Sequence, residues 1–441
     1  MNQRKLGQTS SLRIGIGKKM VERIFQYFGL TLFFLMLIAP FEYYEVKISV
    51  ITLLVVISIA TIARQKKINL SPAVMTWFMS FIGFGLFFSL WALIFPGNNI
   101  SYVFRSMPVN ILWPVLYCLV TPYIRSEEMI KMLHKTMILG AFYISIYLIL
   151  AALSYIGLLP IQPDFFSAVK PVVGKYDASI QLFLPSTTSL LFLIPFLMAY
   201  LLMQIYKFHN IKGIYVIVAL ILGVAAIIIT ARRALLLNLI ISPPLIFFFL
   251  HFARVKLDKK VKRMLVALFL GFLIIGTLGC IILIKYEILN LDTFIELFVN
   301  GFDFSKNSQD EGSIARAEQS IGLVQSWLDY PILGSGLGSA SQYVNRSEST
   351  PWVYELSYLT LLFQTGIVGV LIYFSLFFWI FYKGVVLIRR NGQAIFLIPS
   401  LVGCLCFLIG NASNPYFVAF DHMWAIFLPV GFINFCSYKL K

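Results

Sequence analysis

Stretches such as GIYVIVALILGVAAIIIT (213–230) and MLVALFLGFLIIGTLGCIILI (264–284) carry no charge over 18 residues or more, and runs of this kind recur along the whole chain. A helix rises 1.5 Å per residue, so about 20 such residues cross the roughly 30 Å of a bilayer's hydrocarbon. Lipid offers no partner to backbone N–H and C=O groups, so each run must satisfy its own as a helix. The composition agrees: 59% of residues are hydrophobic and 12% charged, against roughly 25% charged in a soluble domain. The pattern predicts an all-α polytopic membrane protein with about twelve transmembrane helices. They fall near residues 24–40, 47–63, 74–95, 107–124, 136–157, 183–206, 212–230, 234–253, 264–285, 354–382, 393–411 and 416–438. The fourth is the poorest match, because Pro108, Asn110 and Pro114 crowd a short run. No small-residue cleavage site follows the first run, so it is read as a retained helix. All five cysteines fall inside predicted helices, and no disulfide framework or thiolate metal site is expected.

If the spans alternate, 25 of the 35 Lys and Arg but only 4 of the 19 acids lie on the side that carries both termini. Cytoplasmic loops hold the excess of Lys and Arg, which predicts cytoplasmic N- and C-termini. The net charge of +16 is then matched by anionic lipid rather than by nucleic acid. Against this bias, Arg232 and Arg233 fall between the seventh and eighth spans, on the outer side.

The only long loop is outer, at about residues 286–353. It divides the chain into helices 1–9 (1–285), the loop, and helices 10–12 (354–441). A two-fold transporter would place its long connection centrally and on the inner side. Within the loop, EILNLDTFIELFVNG (287–301) reads as an interfacial helix and residues 302–313 as a polar linker. A helix is expected from Ser313, its cap, with Ile314, Ala317, Ile321, Val324 and Leu328 as its apolar stripe and a stop at Pro331 and Gly334. A second outer loop covers 160–181.

Charge at membrane depth is costly, so basic residues on the outer side (Arg105, Arg232, Arg233, Arg316) are functional candidates. A guanidinium forks onto phosphate oxygens, which suits a lipid diphosphate. Two plainer readings stand beside this one: Arg232 and Arg233 snorkel to the interface, and Arg316 pairs locally with Glu318 or Asp310. The glycines of GSGLG (Gly334, Gly336, Gly338) lack a preceding strand, so a tight turn is expected rather than a phosphate cradle. Glu355 opens the tenth span, where it is a proton acceptor, an arginine partner or a simple end-of-helix charge. Asp421 and His422 open the outer end of the twelfth span as an interfacial pair. Three of the four histidines lie at inner helix ends and no D-x-D pair faces outward, so no metal or other cofactor is called for.

Three segments together resemble the O-antigen polymerases (Wzy type) and O-antigen ligases, polytopic glycosyltransferases of the bacterial inner membrane. RRALLLN matches an S-R-G-A-L-like stretch and places the family's arginine at Arg233. Arg316, Trp327, Pro331, Gly334, Gly336 and Gly338 match R-x(10)-W-x(3)-P-x-x-G-x-G-x-G in the large periplasmic loop. LLFQTGIVG, with Gly366 and Gly369, matches the end of the helix that follows. The similarity covers roughly residues 220–430. Ligases of this family usually carry a histidine near the start of the post-loop helix, whereas this chain has Glu355, in an E-x-S-Y start that includes Tyr358. That departure resembles the polymerase branch.

The resemblance implies a GT-C-like architecture with its active site facing the periplasm. It further implies a metal-independent polymerase whose donor and acceptor are oligosaccharides on undecaprenyl diphosphate. Arg233 and Arg316, with Arg232, would hold the diphosphate, and Glu355 would orient or deprotonate the acceptor hydroxyl. Arg105, Tyr358, Asp421 and His422 are secondary candidates. A chain-length regulator is a possible partner. A ligase acting on lipid A core or protein, and a non-enzymatic polysaccharide or lipid transporter, are the competing readings.

Overall fold

The computed structural model describes residues 23–255 and 311–439, except for 67, 156, 161–171, 177–178, 205–212 and 231, together with scattered positions between 259 and 281. The ninth expected span therefore lies largely outside the described residues, as do the expected interfacial helix 287–301, most of the polar linker, and Cys280.

Helices α1 (Arg23–Ile38), α2 (Tyr44–Gln65) and α3 (Pro72–Ile94) come first. They are followed by α4 (Ile100–Met107), α5 (Trp113–Val120) and α6 (Glu127–Tyr155). After a hairpin of β1 (Val172–Tyr176) and β2 (Ser179–Phe183) come α7 (Leu190–Gln204), α8 (Gly213–Thr230) and α9 (Arg233–Phe252). The loop helix α10 (Glu311–Asp329) leads to α11 (Ser357–Arg390), α12 (Leu397–Asn411) and α13 (Trp424–Lys439). Among the described residues, nine helices are long and apolar enough to cross a membrane, counting α4 and α5 as one. The all-helical polytopic class holds. Among the described residues its one departure is the hairpin, antiparallel with Val172 opposite Phe183, in the connection between α6 and α7.

The bundle is built around α7, whose membrane-crossing stretch is buried along its entire length. A helix apolar on every side has no face for water and belongs at the centre. It packs against α12 and α9 on one side and α8 and α6 on the other. Small residues permit this closeness: a methyl group at Gly403 would meet the Phe192 ring at 2.9 Å, and one at Gly410 would meet Leu191 at 2.8 Å.

The proline-rich fourth span is one continuous helical path, but Pro108–Leu112 between α4 and α5 forms a turn of π-helix. Pro108 contributes no N–H, and a π turn absorbs the resulting change of register. Asn110 lies in this turn and presses its backbone against Gly85 of α3.

A second irregularity lies within α11. Gly366 adopts φ 61°, ψ −172°, so the helix kinks there and its hydrogen-bond ladder opens. The segment after α10 fills the gap. Ile367 N–H donates to Pro331 O at 3.0 Å and Val368 N–H to Ile332 O at 3.2 Å. In return, Ser335 and Gly336 N–H donate to Phe363 O and Gln364 O at 3.3 and 2.7 Å. On its other side the segment is held by α3: Leu337 N–H donates to Phe88 O at 3.1 Å, and Trp91 Nε1 to Gly334 O at 3.0 Å. Opened backbone is tolerated at membrane depth only when protein re-satisfies it, as here. Gly336, at φ 97°, lies so close to Ala92 that no Cβ fits.

Candidate functional site

Helix α10 begins at Glu311, so Ser313 is inside the helix rather than its cap. The buried face also differs from the expected stripe. Ala317, Gln319, Leu323 and Ser326 are buried, while Ile321 and Leu328 are exposed. Apolar periodicity alone does not mark this face, since two of its buried residues, Gln319 and Ser326, are polar. The face toward α11 instead carries polar groups, because it meets the backbone and the carboxylate at the start of that helix. Leu323 anchors it in a small satellite core with Tyr354, Leu356 and Phe363.

This rotation carries Arg316 to Glu355. Arg316 Nε donates to Glu355 Oε2 at 2.9 Å, so its partner is a residue 39 positions away rather than the nearby Glu318, while Asp310 lies outside the described residues. Arg346 Nη2 donates to the other oxygen, Oε1, also at 2.9 Å. Gln319, one turn after Arg316, accepts the Glu355 N–H on Oε1 at 2.9 Å. Glu355 precedes α11 rather than opening it; the helix starts at Ser357 with Leu356 as its cap position. Its role as a partner for arginine is thus the one the geometry displays. The carboxylate remains 21% exposed and Arg316 24%, so both can be reached from outside. A carboxylate has about four acceptor positions, and two arginine donors leave others open.

Next to Tyr354 and Ser357 a cavity opens with about 750 Å³ of empty space including its mouth. Arg105, Asn110, Trp352, Tyr358, Gln364 and Asn411 supply its polar and aromatic lining, and no lining residue is acidic. Both backbone irregularities border it, Asn110 from the π turn and Gln364 from just before the kink. Trp352 stacks on Tyr102 with centroids 4.8 Å apart, and the Arg105 guanidinium lies 5.9 Å from the Trp352 ring. The Tyr358 hydroxyl donates to Leu408 O at 2.6 Å and Ser357 Oγ to Asn414 O at 3.0 Å, fixing α11 against the end of α12.

Arg232 caps α9 and Arg233 is its first residue, both half-buried, with no acidic residue in the first turn. The exposed amides and positive end of a helix favour an anion, and two guanidinium groups reinforce that preference. Helix α9 runs antiparallel to α12: Arg389 Nε, just before α12 begins, donates to Phe252 O at the end of α9 at 2.6 Å, and further along Asn238 Nδ2 donates to Cys406 O at 2.8 Å. Arg233 and Asn411 each lie five residues, about 7.5 Å, beyond that bond. The arginine pair therefore sits at the level of the cavity, at the same end of the bundle as Glu355.

Asp421 and His422 are elsewhere in character. Both are fully buried rather than interfacial, and they do not pair with each other. Asp421 Oδ1 receives Lys47 Nζ at 2.8 Å and its Oδ2 receives Phe41 N–H at 2.8 Å; Lys47 also donates to Ala39 O at 2.7 Å. This buried pair clamps the turn between α1 and α2, where Phe41 and Tyr43 have φ of 67° and 53°. His422 is packed among Phe41, Phe407 and Tyr416.

The sequence reading missed Arg346, Gln319, Trp352 and Lys47. Of these only Lys47 carried a signal, a cation at the first position of an expected span. Arg346 lies in NRSEST, which reads as solvated loop. The GSGLG amides of Ser335, Gly336 and Leu337 are all engaged by backbone carbonyls, in keeping with a turn rather than an anion cradle. Among the described residues no three His, Cys, Asp or Glu side chains are grouped as metal ligands.

Residues 218–374 match the family model described as O-antigen ligase. The matched stretch covers less than half of the chain and runs from α8 through the arginine pair, the loop and its joint to the middle of α11. No curated protein matches the chain.

Proposed function

We propose that this chain, which carries the O-antigen ligase domain over residues 218–374, is a polymerase of lipid-linked oligosaccharide repeat units. The observation that carries the proposal is the Arg316–Glu355–Arg346 cluster beside a polar cavity, at the same end of the bundle as Arg232 and Arg233. The excess of Lys and Arg on the other side supports a periplasmic position for this end, in a bacterial inner membrane. Wzy-type chemistry needs two things there, a cationic seat for undecaprenyl diphosphate and a carboxylate for a sugar hydroxyl.

In this reading the α9 terminus holds the donor's diphosphate. The acceptor is a second lipid-linked repeat unit whose terminal hydroxyl enters the cavity. Glu355 accepts a hydrogen bond from that hydroxyl and takes its proton as the oxygen bonds to the anomeric carbon. The bond from that carbon to the diphosphate breaks, and the electron pair leaves with the lipid diphosphate. Arg232 and Arg233 stabilise the charge that develops there. The arginines supply the cationic field, so the reaction is expected to run without added metal. A chain-length regulator would act on the extending product.

The absence of any histidine between His251 and His422 supports polymerase over ligase. Deleting the gene and analysing surface polysaccharide tests the choice. Glycan capped with a single repeat unit is the expected result. Bare lipid A core with accumulated lipid-linked polymer would establish the ligase instead, and donor trapped on the cytoplasmic side would establish a transporter.

A further inference from the structure

Arg316 and Arg346 are both neutralised by Glu355. Arg105, in the last turn of α4, lines the neighbouring cavity, and among the described residues no carboxylate pairs with it. Its contact is aromatic instead. The guanidinium stands 5.9 Å from the Trp352 ring, which is itself stacked on Tyr102, one turn earlier in α4. Helix α4 is pressed onto the loop segment at this point: a Cβ at Gly338, where φ is 89°, would lie 2.8 Å from Val103 Cα and 2.9 Å from Tyr102 O. The backbone that carries Arg105 is thus fixed against the segment that leads to Glu355.

The remaining polar groups of the cavity are acceptors. Gln364 is 6% exposed, and its Nε2 donates to Ser339 O at 3.0 Å and to Trp352 O at 3.3 Å. With both protons given to carbonyls, Oε1 is the atom it offers a ligand, and an amide oxygen only accepts. Asn110, in the π turn, gives Nδ2 to Ser106 O at 3.1 Å and keeps Oδ1. The hydroxyls of Ser106, Ser357 and Thr360 donate to backbone carbonyls at 2.8, 3.0 and 3.0 Å, which leaves their lone pairs. One cation therefore stands beside a set of acceptors, with Leu337, Trp352 and Phe417 as apolar lining. A small number of placed polar groups on apolar walls is the usual make-up of a small-ligand site. Its partner must bring hydroxyl donors and one anionic group. A diphosphate brings acceptors alone and would face the amide and hydroxyl oxygens unfavourably, whereas a neutral sugar leaves the guanidinium unused.

We propose that this cavity is a subsite for an acidic sugar, a hexuronic acid residue of the repeat unit. Its carboxylate takes the fork of Arg105, and its hydroxyls donate to Gln364 and Asn110. The proposal rests on the polymerase reading for the identity of the glycan. Tyr354 and Ser357 line the same cavity on either side of Glu355, so Arg105 selects among repeat units and takes no part in the bond exchange.

The test titrates the full chain, in nanodiscs of neutral phosphatidylcholine, with methyl glucuronide, its carboxyl methyl ester and methyl glucoside, followed by ligand-observed NMR. The free acid is expected to bind about tenfold more tightly than either neutral sugar, the order that a charge-assisted hydrogen bond gives. This comparison needs no variant to fold. Arg105 is exposed, so Arg105→Gln should fold and should bring the acid down to the affinity of its ester. Asn110→Ala should instead weaken acid and ester together. Equal affinity for acid and ester in the wild type would overturn the proposal. So would inorganic diphosphate binding more tightly than the glucuronide and losing that binding in Arg105→Gln, which would assign the cation to the lipid head group. Glu355→Gln separates the subsite from the reaction: ladder formation should stop while the glucuronide still outcompetes its ester. Ladders that persist in Glu355→Gln would overturn the reading of Glu355 and leave the subsite standing.

Discussion

Arg316 Nε and Glu355 Oε2 are 2.9 Å apart although 39 residues separate them in the chain, and the pair links the loop helix to the residues just before a membrane helix. The pair is partly exposed, and Tyr354 and Ser357 on either side of Glu355 line the neighbouring cavity. A surface ion pair of this kind is worth roughly 0–1 kcal/mol. Fold stability alone therefore does not account for placing it there.

Arg316→Ala should abolish polymer while the protein still inserts at normal levels, with a loss of about two to three orders of magnitude for a removed electrostatic contact. Arg316→Lys should recover little, because an ammonium keeps the charge and loses the planar fork. Ladder formation from synthetic lipid-linked repeat unit measures both. Wild-type ladders from Arg316→Lys would reduce the arginine to a generic cation.

Glu355→Gln keeps the size of the side chain and one acceptor oxygen. Loss of proton acceptance should slow turnover by roughly two to four orders of magnitude. If the carboxylate served only to pair with arginines, Gln should instead lower thermal stability by about a kcal/mol or less and leave turnover near normal. Including a chelator throughout the same assay tests the metal-free reading, since wild-type activity should survive it.

Arg346 is the more exposed of the two arginines, with 36% of its side chain accessible. Arg346→Ala should therefore be milder than Arg316→Ala, reducing turnover by about tenfold, roughly 1.4 kcal/mol. A loss equal to that of Arg316 would mean that both are needed to hold Glu355 in position.

Lys47 and Asp421 should respond as a buried pair. Either Lys47→Met or Asp421→Leu leaves one charge alone in the interior, at about 3–5 kcal/mol, whereas the double variant removes both charges and should recover most of that loss. The four described cysteines are buried, so thiol labelling during heating reports the unfolding directly. Specific loss of polymer at unchanged stability would instead place Asp421 in the chemistry.

Much of the architecture was legible because it rests on run length. Lipid forces each long apolar run to be a helix, whatever its neighbours do. The orientation of α10 was not legible, because Gln319 and Ser326 face inward to meet backbone and hydroxyl groups from 15 or more residues away. Simple amphipathic counting assigns such residues to water. Glu355 and Arg316 were visible as candidates, yet their pairing was not, since spacing along one helix offers Arg316 nearer acids. Arg346 and Trp352 reach the site only through the fold of the polar stretch before α11. Asp421 looked interfacial because its partner Lys47 stands 374 residues away, inside another helix.

The joint at Gly366 sets an order of assembly. Helix α3 enters the membrane early in synthesis, yet the carbonyl of Phe88 and the indole of Trp91 meet their partners only when residues 334–337 arrive, after helices α4 to α10 have been made. Helix α11 emerges later still and cannot close its own ladder without the same segment. A ribosome stalled before residue 331 would thus leave an N-terminal bundle with an unfinished seam. The C-terminal helices supplied as a separate chain should not mend it unless residues 331–337 travel with them.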